Sequence, residues 1–114
     1  MSTGEANQPR VLVIIPAAGG IKTPPIDATV RRQIGYHLRL IQGGGLPSPP
    51  ISRPLPEMGP NVHYLRLSGP SGEWRVYYQI RAREVIVGEV FHKKTQAIPG
   101  HLIRTVRKRF EDYP

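Results

Sequence analysis

Proline dominates the middle of this chain and limits what that part can build. Six prolines lie between residues 46 and 60, namely Pro47, Pro49, Pro50, Pro54, Pro56 and Pro60. Proline has no backbone N–H and a restricted φ angle, so this stretch can be neither a helix nor a central strand. We therefore predict an extended, ordered loop at residues 46–60.

Two elements are predicted before the loop. Val11 to Ile15 has the β-branched, apolar character of a buried strand, and the prolines and glycines of residues 16–25 end it. From Asp27, which suits an N-cap, apolar residues recur at the spacing of one helix face. These residues are Val30, Ile34, Leu38 and Ile41, and the glycines at 43–45 end the helix.

Three strands are predicted after the loop, and tight turns set their register. A turn at residues 69–72 places Leu67 opposite Trp74, Arg66 opposite Arg75 and Tyr64 opposite Tyr77. A turn at residues 82–83 places Ile80 opposite Val85 and Trp74 opposite Phe91. Because side chains alternate along a strand, each pairing also assigns its residues to one face of the sheet.

The two faces of this predicted sheet differ in character. One face is an apolar core that receives the helix, made of Leu65, Leu67, Trp74, Val76, Tyr78, Ile80, Val85, Val87 and Phe91. The opposite face is the predicted working surface, made of Tyr64, Arg66, Arg75, Tyr77, Gln79 and His92. In this register neither Glu73 nor Glu89 projects to the face of Arg75, so the arginines have almost no carboxylate to neutralise them.

A last helix is predicted from about Pro99 to Phe110, because Pro99 is tolerated in a first turn and apolar residues recur after it. The strands need a helix to cover their apolar face, which favours one domain over residues 1–114. We predict an α+β fold, a small antiparallel β-sheet with helices packed on one face. Residues 1–26 form an atypical N-terminal segment of this domain.

Composition excludes several classes of protein. Cysteine is absent, so disulfides and thiolate chemistry are excluded, and the four histidines lack the spacing of a metal site. We expect no metal and no other cofactor. The start of the chain lacks the pattern of a signal peptide, and its longest apolar run is too short to span a bilayer. These features predict a cytoplasmic protein without a membrane partner.

Positive charge points to an anionic partner. The chain has 16 Lys and Arg against 8 Asp and Glu, a formal charge of +8. Arg66 and Arg75 lie side by side on the predicted working surface, and cations placed opposite each other on a sheet destabilise it unless an anion binds there. The sequence therefore predicts binding of nucleic acid, with the phosphodiester as the anion.

The residue types on this surface suit cleavage of a phosphodiester. Arg66 and Arg75 carry permanently charged guanidinium groups, whose paired N–H donors match the non-bridging oxygens of a phosphate. His92, Lys93 and Lys94 compete for the role of general acid or base. Tyr64 and Tyr77 suit stacking on an unpaired base or donating a hydrogen bond. Arg107 and Lys108 of the last helix are solvated residues, or contacts to RNA or to an antitoxin.

Each residue also has a structural alternative. Arginines on a strand of a basic protein are often solvated cross-strand residues, and edge lysines discourage aggregation. Tyr64 and Tyr77 can pack on each other across the strands. Taken alone, His92 reads as a surface residue at the end of a strand.

The order of several short motifs resembles the RelE/ParE superfamily of bacterial toxins, and more narrowly its phage-derived, HigB-like branch. The motifs are Pro-Leu-Pro-Glu-Met-Gly-Pro (54–60), Tyr-Leu-Arg (64–66), Glu-Trp-Arg-Val-Tyr-Tyr (73–78) and Phe-His-Lys-Lys-Thr (91–95), followed by a basic helix. The pattern includes Arg66, Arg75, Lys93 and Lys94, whereas His92 occupies its variable position. Residues 16–25 depart from it, because relatives begin a helical hairpin there.

The resemblance implies a function and a set of partners. It implies a RelE-like fold and the toxin of a type II toxin–antitoxin pair, held inactive by a cognate helix-turn-helix antitoxin. It also implies metal-independent cleavage of mRNA on translating ribosomes, by attack of a ribose 2′-hydroxyl on its own 3′ phosphate. Two alternatives remain: a ParE-like toxin that inhibits gyrase, and a basic nucleic-acid-binding protein without enzymatic activity.

Overall fold

One sheet of five strands organises the parts of the chain that the structure describes, residues 8–15, 26–93 and 100–114. In this computed structural model the strands are β1 (Val11–Ile14), β2 (Ser52–Pro54), β3 (Val62–Gly69), β4 (Gly72–Ile80) and β5 (Glu84–Lys93). Their order across the sheet is β1-β5-β4-β3-β2. The helices are α1 (Ala28–Gln42) and α2 (Gly100–Asp112), and a 3₁₀ turn spans Pro56–Met58. The predicted α+β class is confirmed.

The sheet is mixed, because β1 joins it in parallel. β1 pairs with β5, with Val11 opposite Glu84, whereas the pairs β2–β3, β3–β4 and β4–β5 are antiparallel. β1 was predicted to be buried, but it forms an edge of the sheet, where Val11 is 62% exposed and Ile14 44% exposed. An apolar run alone does not reveal whether a strand has neighbours on both sides.

The packing of α1 is as the sequence predicts. Its four spaced apolar residues are all buried against one face of the sheet and form the first core with Leu65, Trp74 and Val76. The helix ends where the glycines begin, and the backbone N–H of Gly43 donates to the carbonyl oxygen of Arg39 at 3.1 Å. Gly44 follows with φ +99°, a backbone conformation that favours glycine.

The proline-rich stretch, which was predicted to be an extended loop, contains two short elements. Residues 46–60 contain the short edge strand β2 and the 3₁₀ turn, and Pro54 lies at the end of the edge strand, where its missing N–H is tolerated. Met58 in this turn is fully buried, which the sequence pattern did not indicate.

The β3–β4 register is confirmed at each predicted pair. Leu67 lies opposite Trp74, Arg66 opposite Arg75, and Tyr64 opposite Tyr77. The turn between these strands is fastened to the start of α1. Asp27 does not use its side chain to cap α1; its carboxylate instead accepts hydrogen bonds from the Ser71 backbone N–H at 3.0 Å and hydroxyl at 2.6 Å.

A β-bulge changes the register between β4 and β5. Ile80 lies opposite Val85 as predicted, but Tyr78 lies opposite Val87 and Tyr77 opposite Glu89, so Gly88 is an extra residue in β5. A Cβ atom on Gly88 would lie 2.6 Å from Cζ of Phe110, so α2 leaves no room for a side chain there. Beyond Gly88 the alternation of β5 is reversed.

α2 lies on the face of the sheet opposite to α1, which differs from the predicted placement of both helices on one face. Val106 and Phe110 of α2 form a second core with Met58, Val62, Tyr77 and Ile86. Arg109 fixes the helix to the bulge, because its Nη1 donates to the carbonyl oxygen of Gly88 at 2.7 Å. The second face is therefore partly a packing surface.

Some predictions fall outside the described residues. They are the segment at residues 16–25 that was predicted to end the first strand, the candidate residue Lys94, and the predicted helix start at Pro99. Neither α1 nor α2 is long and apolar enough to cross a membrane.

Candidate functional site

The second face of the sheet has a polar part beside the second core. We call this part the arginine face, and it consists of Arg53, Tyr64, Arg66, Glu73, Arg75, Phe91 and Lys93. The strand register assigns these residues to one side, because Arg53 lies opposite Tyr64, Arg75 opposite Arg66 and Phe91, and Glu73 opposite Lys93. The site thus draws side chains from four adjacent strands.

A carboxylate lies between the two predicted arginines. Oε1 of Glu73 accepts a hydrogen bond from Nε of Arg66 at 3.2 Å, and Oε2 accepts one from Nε of Arg75 at 2.9 Å. The prediction that Glu73 points away from Arg75 was wrong. The two residues are two positions apart on β4, so alternation places both on the same face.

The two arginines hold this carboxylate in its charged form. Partial burial of Glu73 favours the neutral acid, but the hydrogen bonds and positive charges of Arg75 and Arg66 outweigh it. The pKa of Glu73 therefore lies below its ordinary value. Two cations and one anion leave this group with a net charge of +1, and it still favours an anionic ligand.

The two arginines differ in accessibility. The side chain of Arg66 is 45% exposed, whereas that of Arg75 is 12% exposed. The guanidinium carbon of Arg75 also lies 4.8 Å from the centroid of the Tyr64 ring, a cation–π contact. Arg66 is therefore the more accessible arginine, and its neighbour Arg75 is largely buried.

The two tyrosines that were predicted to stack on RNA bases also differ in accessibility. Tyr77 is fully buried in the second core, and burial raises the pKa of its hydroxyl to about 12. This placement contradicts its prediction as a surface for RNA bases, because its ring contacts α2 and the 3₁₀ turn instead of solvent. Tyr64 is partly buried, with its ring centroid 6.0 Å from that of Tyr77.

His92 lies on the opposite face from the arginines. It is opposite Trp74 in the strand register, its ring centroid is 4.6 Å from that of Trp74, and its Nε2 is 2.7 Å from the carbonyl oxygen of Ser71. The prediction that His92 shares a face with Arg66 was wrong. The extra residue Gly88 reverses the alternation and exchanges the predicted positions of His92 and Phe91.

Of the two lysines that follow His92, the structure describes only Lys93. Lys93 lies opposite Glu73 in the register and therefore on the arginine face, where it is partly buried. Lys94 lies outside the described residues. Of the two described residues predicted for proton transfer, Lys93 lies on the arginine face and His92 does not.

The turn between β3 and β4 positions the end of the arginine face. Asp27 binds Ser71, and Nε1 of Trp74 donates to the Ser71 hydroxyl at 3.1 Å. These hydrogen bonds from Ser71 lower the pKa of Asp27. A Cβ atom at Gly69 would lie 2.4 Å from Cγ2 of Val30, so this turn approaches α1 too closely for a side chain at that position.

The basic residues of α2 are mostly committed to other contacts. Arg107 pairs with Glu111 at 3.1 Å, and Lys108 pairs with Asp112 at 3.2 Å. All four side chains are more than half exposed, so these are weak surface pairs. Arg107 and Lys108 therefore lie at the surface, as predicted, with their charges partly offset.

Sequence reasoning missed three members of the arginine face, namely Glu73, Arg53 and Phe91, and the position of Phe91 depends on the bulge at Gly88. Glu73 was detectable from its spacing to Arg75 along one strand. Arg53 is exposed and lies in β2, where the surrounding prolines obscure any strand pattern. Among the described residues, no three His, Asp or Glu side chains lie together as a metal site would require.

Comparison with known proteins identifies one family. The family model described as "Phage derived protein Gp49-like (DUF891)" matches residues 25–111, which is more than half of the chain. This range begins just before α1, ends within α2 and includes the whole arginine face. Comparisons with curated proteins and with solved structures gave no match.

Proposed function

This chain belongs to the Gp49-like family of phage-derived proteins, a RelE-like, toxin-like family associated with toxin–antitoxin systems, and we propose that it is the toxin of a type II pair. We propose that it acts as a metal-independent endoribonuclease on mRNA, on translating ribosomes. The motif order from Tyr-Leu-Arg to Phe-His-Lys-Lys-Thr supports its assignment to the HigB-like branch. The partners in this proposal are mRNA, the ribosome and a cognate helix-turn-helix antitoxin.

The observation that carries the proposal is the exposed guanidinium of Arg66 beside a second, largely buried arginine. Arg66 lies directly opposite Arg75 across β3 and β4, and the hydrogen bonds of both to Glu73 use their Nε atoms. A guanidinium held by Nε keeps its terminal amino groups for a ligand. Those groups match the two non-bridging oxygens of a phosphodiester.

The proposed reaction transfers a phosphoryl group within the RNA. The 2′-oxygen attacks the adjacent phosphorus, a 2′-O–P bond forms and the bond from phosphorus to the 5′-oxygen breaks. The products are a 2′,3′-cyclic phosphate and a 5′-hydroxyl. Negative charge grows on the non-bridging oxygens during this step, and fixed cations such as Arg66 stabilise it there.

Two protons move in this reaction. The 2′-hydroxyl loses one proton to a base, and the leaving 5′-oxygen gains one from an acid. Lys93 is our candidate for one of these transfers, because it lies on the arginine face opposite Glu73. We do not assign either transfer to His92, which lies on the other face beside Trp74.

An in vitro translation assay tests the proposed function. Purified wild-type protein is added to a translation reaction, and the reporter mRNA is mapped for new 5′ ends. We expect discrete cleavage by the wild type and at least about a hundredfold slower cleavage by Arg66→Ala, since removal of a charged transition-state contact has an effect of this size. Arg32→Ala is the control, because Arg32 is exposed on α1, on the other side of the sheet.

Two results would overturn the proposed reaction and favour an alternative. Intact mRNA together with loss of DNA supercoiling by gyrase would indicate a ParE-like toxin. Salt-sensitive RNA binding without strand scission would indicate a binding protein without enzymatic activity.

A further inference from the structure

We propose that Glu73 is a positioning residue, which holds the exposed Arg66 ready for the scissile phosphate and uses the buried Arg75 as its support. The inference rests on the proposed function, since it assigns roles within the same site. The sequence alone gives both arginines the same role. In this proposal Arg66 contacts the phosphate, and Arg75 holds Glu73 in place.

The strand register places two positive charges next to each other, and a negatively charged side chain between them relieves their repulsion. Side chains directly opposite on antiparallel strands have Cβ atoms about 4.5–5.5 Å apart, and like charges in such a pair repel. Arg66 and Arg75 form such a pair. Glu73 relieves the repulsion, because it gives each arginine its own carboxylate oxygen.

The contacts also rank the two arginines by how firmly each is held. Arg75 has the shorter contact to Glu73, 2.9 Å against 3.2 Å for Arg66, and it also lies against the ring of Tyr64. Arg75, which itself contacts the Tyr64 ring, therefore holds one oxygen of the carboxylate, and the other oxygen holds Nε of Arg66. A long side chain restrained before the substrate arrives loses less conformational freedom in the transition state.

A negative charge beside a phosphate site has an opposing electrostatic effect. The carboxylate of Glu73 repels the RNA backbone, so an electrostatic role alone predicts tighter binding and faster cleavage when this charge is removed. A positioning role predicts slower cleavage even though binding becomes tighter. The two roles therefore give opposite signs for the change in kcat.

Kinetics of Glu73→Gln separate these roles. We expect kcat to fall about tenfold, a typical effect of losing orientation at a reacting group, while KM for RNA stays constant or falls. Glu57→Gln is the control, because it removes the same charge from an exposed residue of the 3₁₀ turn. An unchanged or increased kcat in Glu73→Gln would overturn the proposal.

A second variant keeps the negative charge and changes only the length of the side chain. Glu73→Asp is one methylene shorter, so its carboxylate cannot bridge both guanidinium groups in the present geometry. We expect its kcat to fall by a similar factor of about ten. Cleavage by Glu73→Asp at the wild-type rate would also overturn the proposal.

An NMR measurement separates this inference from the proposed nuclease activity. The Nε–H proton of Arg66 is expected to exchange slowly with water in the wild type and faster in Glu73→Gln, while the melting temperature stays within a few degrees. If wild-type protein leaves RNA intact, the nuclease proposal fails, and the slow exchange still supports the positioning of Arg66. Equal exchange rates in both proteins would overturn the positioning role, whether or not RNA is cleaved.

Discussion

His92 lies across from Trp74 in the β4–β5 ladder, with the two ring centroids 4.6 Å apart, and its Nε2 is 2.7 Å from the carbonyl oxygen of Ser71. The imidazole thus joins the end of β5 to the turn between β3 and β4, on the face that α1 covers. Its position separates it from Arg66, which lies on the other side of the sheet.

His92 is predicted to stabilise the fold without taking part in RNA cleavage. His92→Ala removes the contact with Trp74 and the hydrogen bond to Ser71, which we expect to lower the free energy of unfolding by about 1–2 kcal/mol. Urea denaturation measures this loss, and the cleavage rate should stay within about twofold of wild type. A hundredfold slower reaction in a folded His92→Ala protein would contradict the placement of His92 outside the site.

Gly88 is predicted to tolerate no side chain. In Gly88→Ala the new methyl group meets Phe110 at 2.6 Å and Val106 at 3.0 Å, so we expect a destabilisation of about 1–3 kcal/mol from overpacking against α2. Thermal denaturation provides the measurement. Gly43→Ala is the matched control, because Gly43 has φ −82° and its nearest neighbouring atom would be 3.6 Å from the new Cβ.

Stability is predicted to depend on pH through Asp27. Hydrogen bonds from Ser71 lower the pKa of Asp27 below its ordinary value. The contribution of such a carboxylate to stability is complete above the unfolded-state pKa and is lost as the pH falls through the lower, folded-state pKa. The difference in unfolding free energy between wild type and Asp27→Asn should therefore be largest near neutral pH and shrink below about pH 4.

Denaturation curves at a series of pH values measure this difference. Ser71→Ala removes one of the two donors to Asp27 and should weaken the pH dependence while leaving the carboxylate in place. A difference between wild type and Asp27→Asn that stays constant down to the acid range would contradict the assigned role of Asp27.

The salt dependence of RNA binding is predicted to distinguish phosphate contacts from other surface charges. For single-stranded RNA, each neutralised phosphate contributes about 0.7 to the slope of log K against log salt concentration. Arg66→Ala should reduce the slope by about this amount. Arg107→Ala and Lys108→Ala should reduce it less, because these residues lie on α2, outside the arginine face.

The sequence predicted well wherever short-range geometry decided the outcome. The turn at residues 69–72 and the apolar residues Leu65 and Leu67 leave one register for β3 and β4, since a slip by one residue would expose that core. The helical spacing from Val30 to Ile41 likewise defined the buried side of α1. These signals were sufficient to place Arg66 beside Arg75.

Prediction failed where a single residue or a distant element decided the outcome. A bulge at Gly88 adds no apolar signal of its own, although a glycine within a strand is a recognised sign of one. The amphipathic pattern of α2 defines its buried side but does not say which face of the sheet receives it. Glu73 was misassigned although its spacing to Arg75 contained the answer.

The bulge at Gly88 also determines which chemistry the end of β5 offers to each side of the sheet. Without the bulge, the last residues of β5 would project to the opposite sides of the sheet. The imidazole of His92 would then lie beside the arginines, in place of the ammonium group of Lys93 and the ring of Phe91. With Gly88 present, the bulge thus decides which of two sets of side chains lies beside the arginines. Deletion of Gly88 would join Val87 directly to Glu89, so β5 would alternate regularly and the same residues would remain beside the arginines.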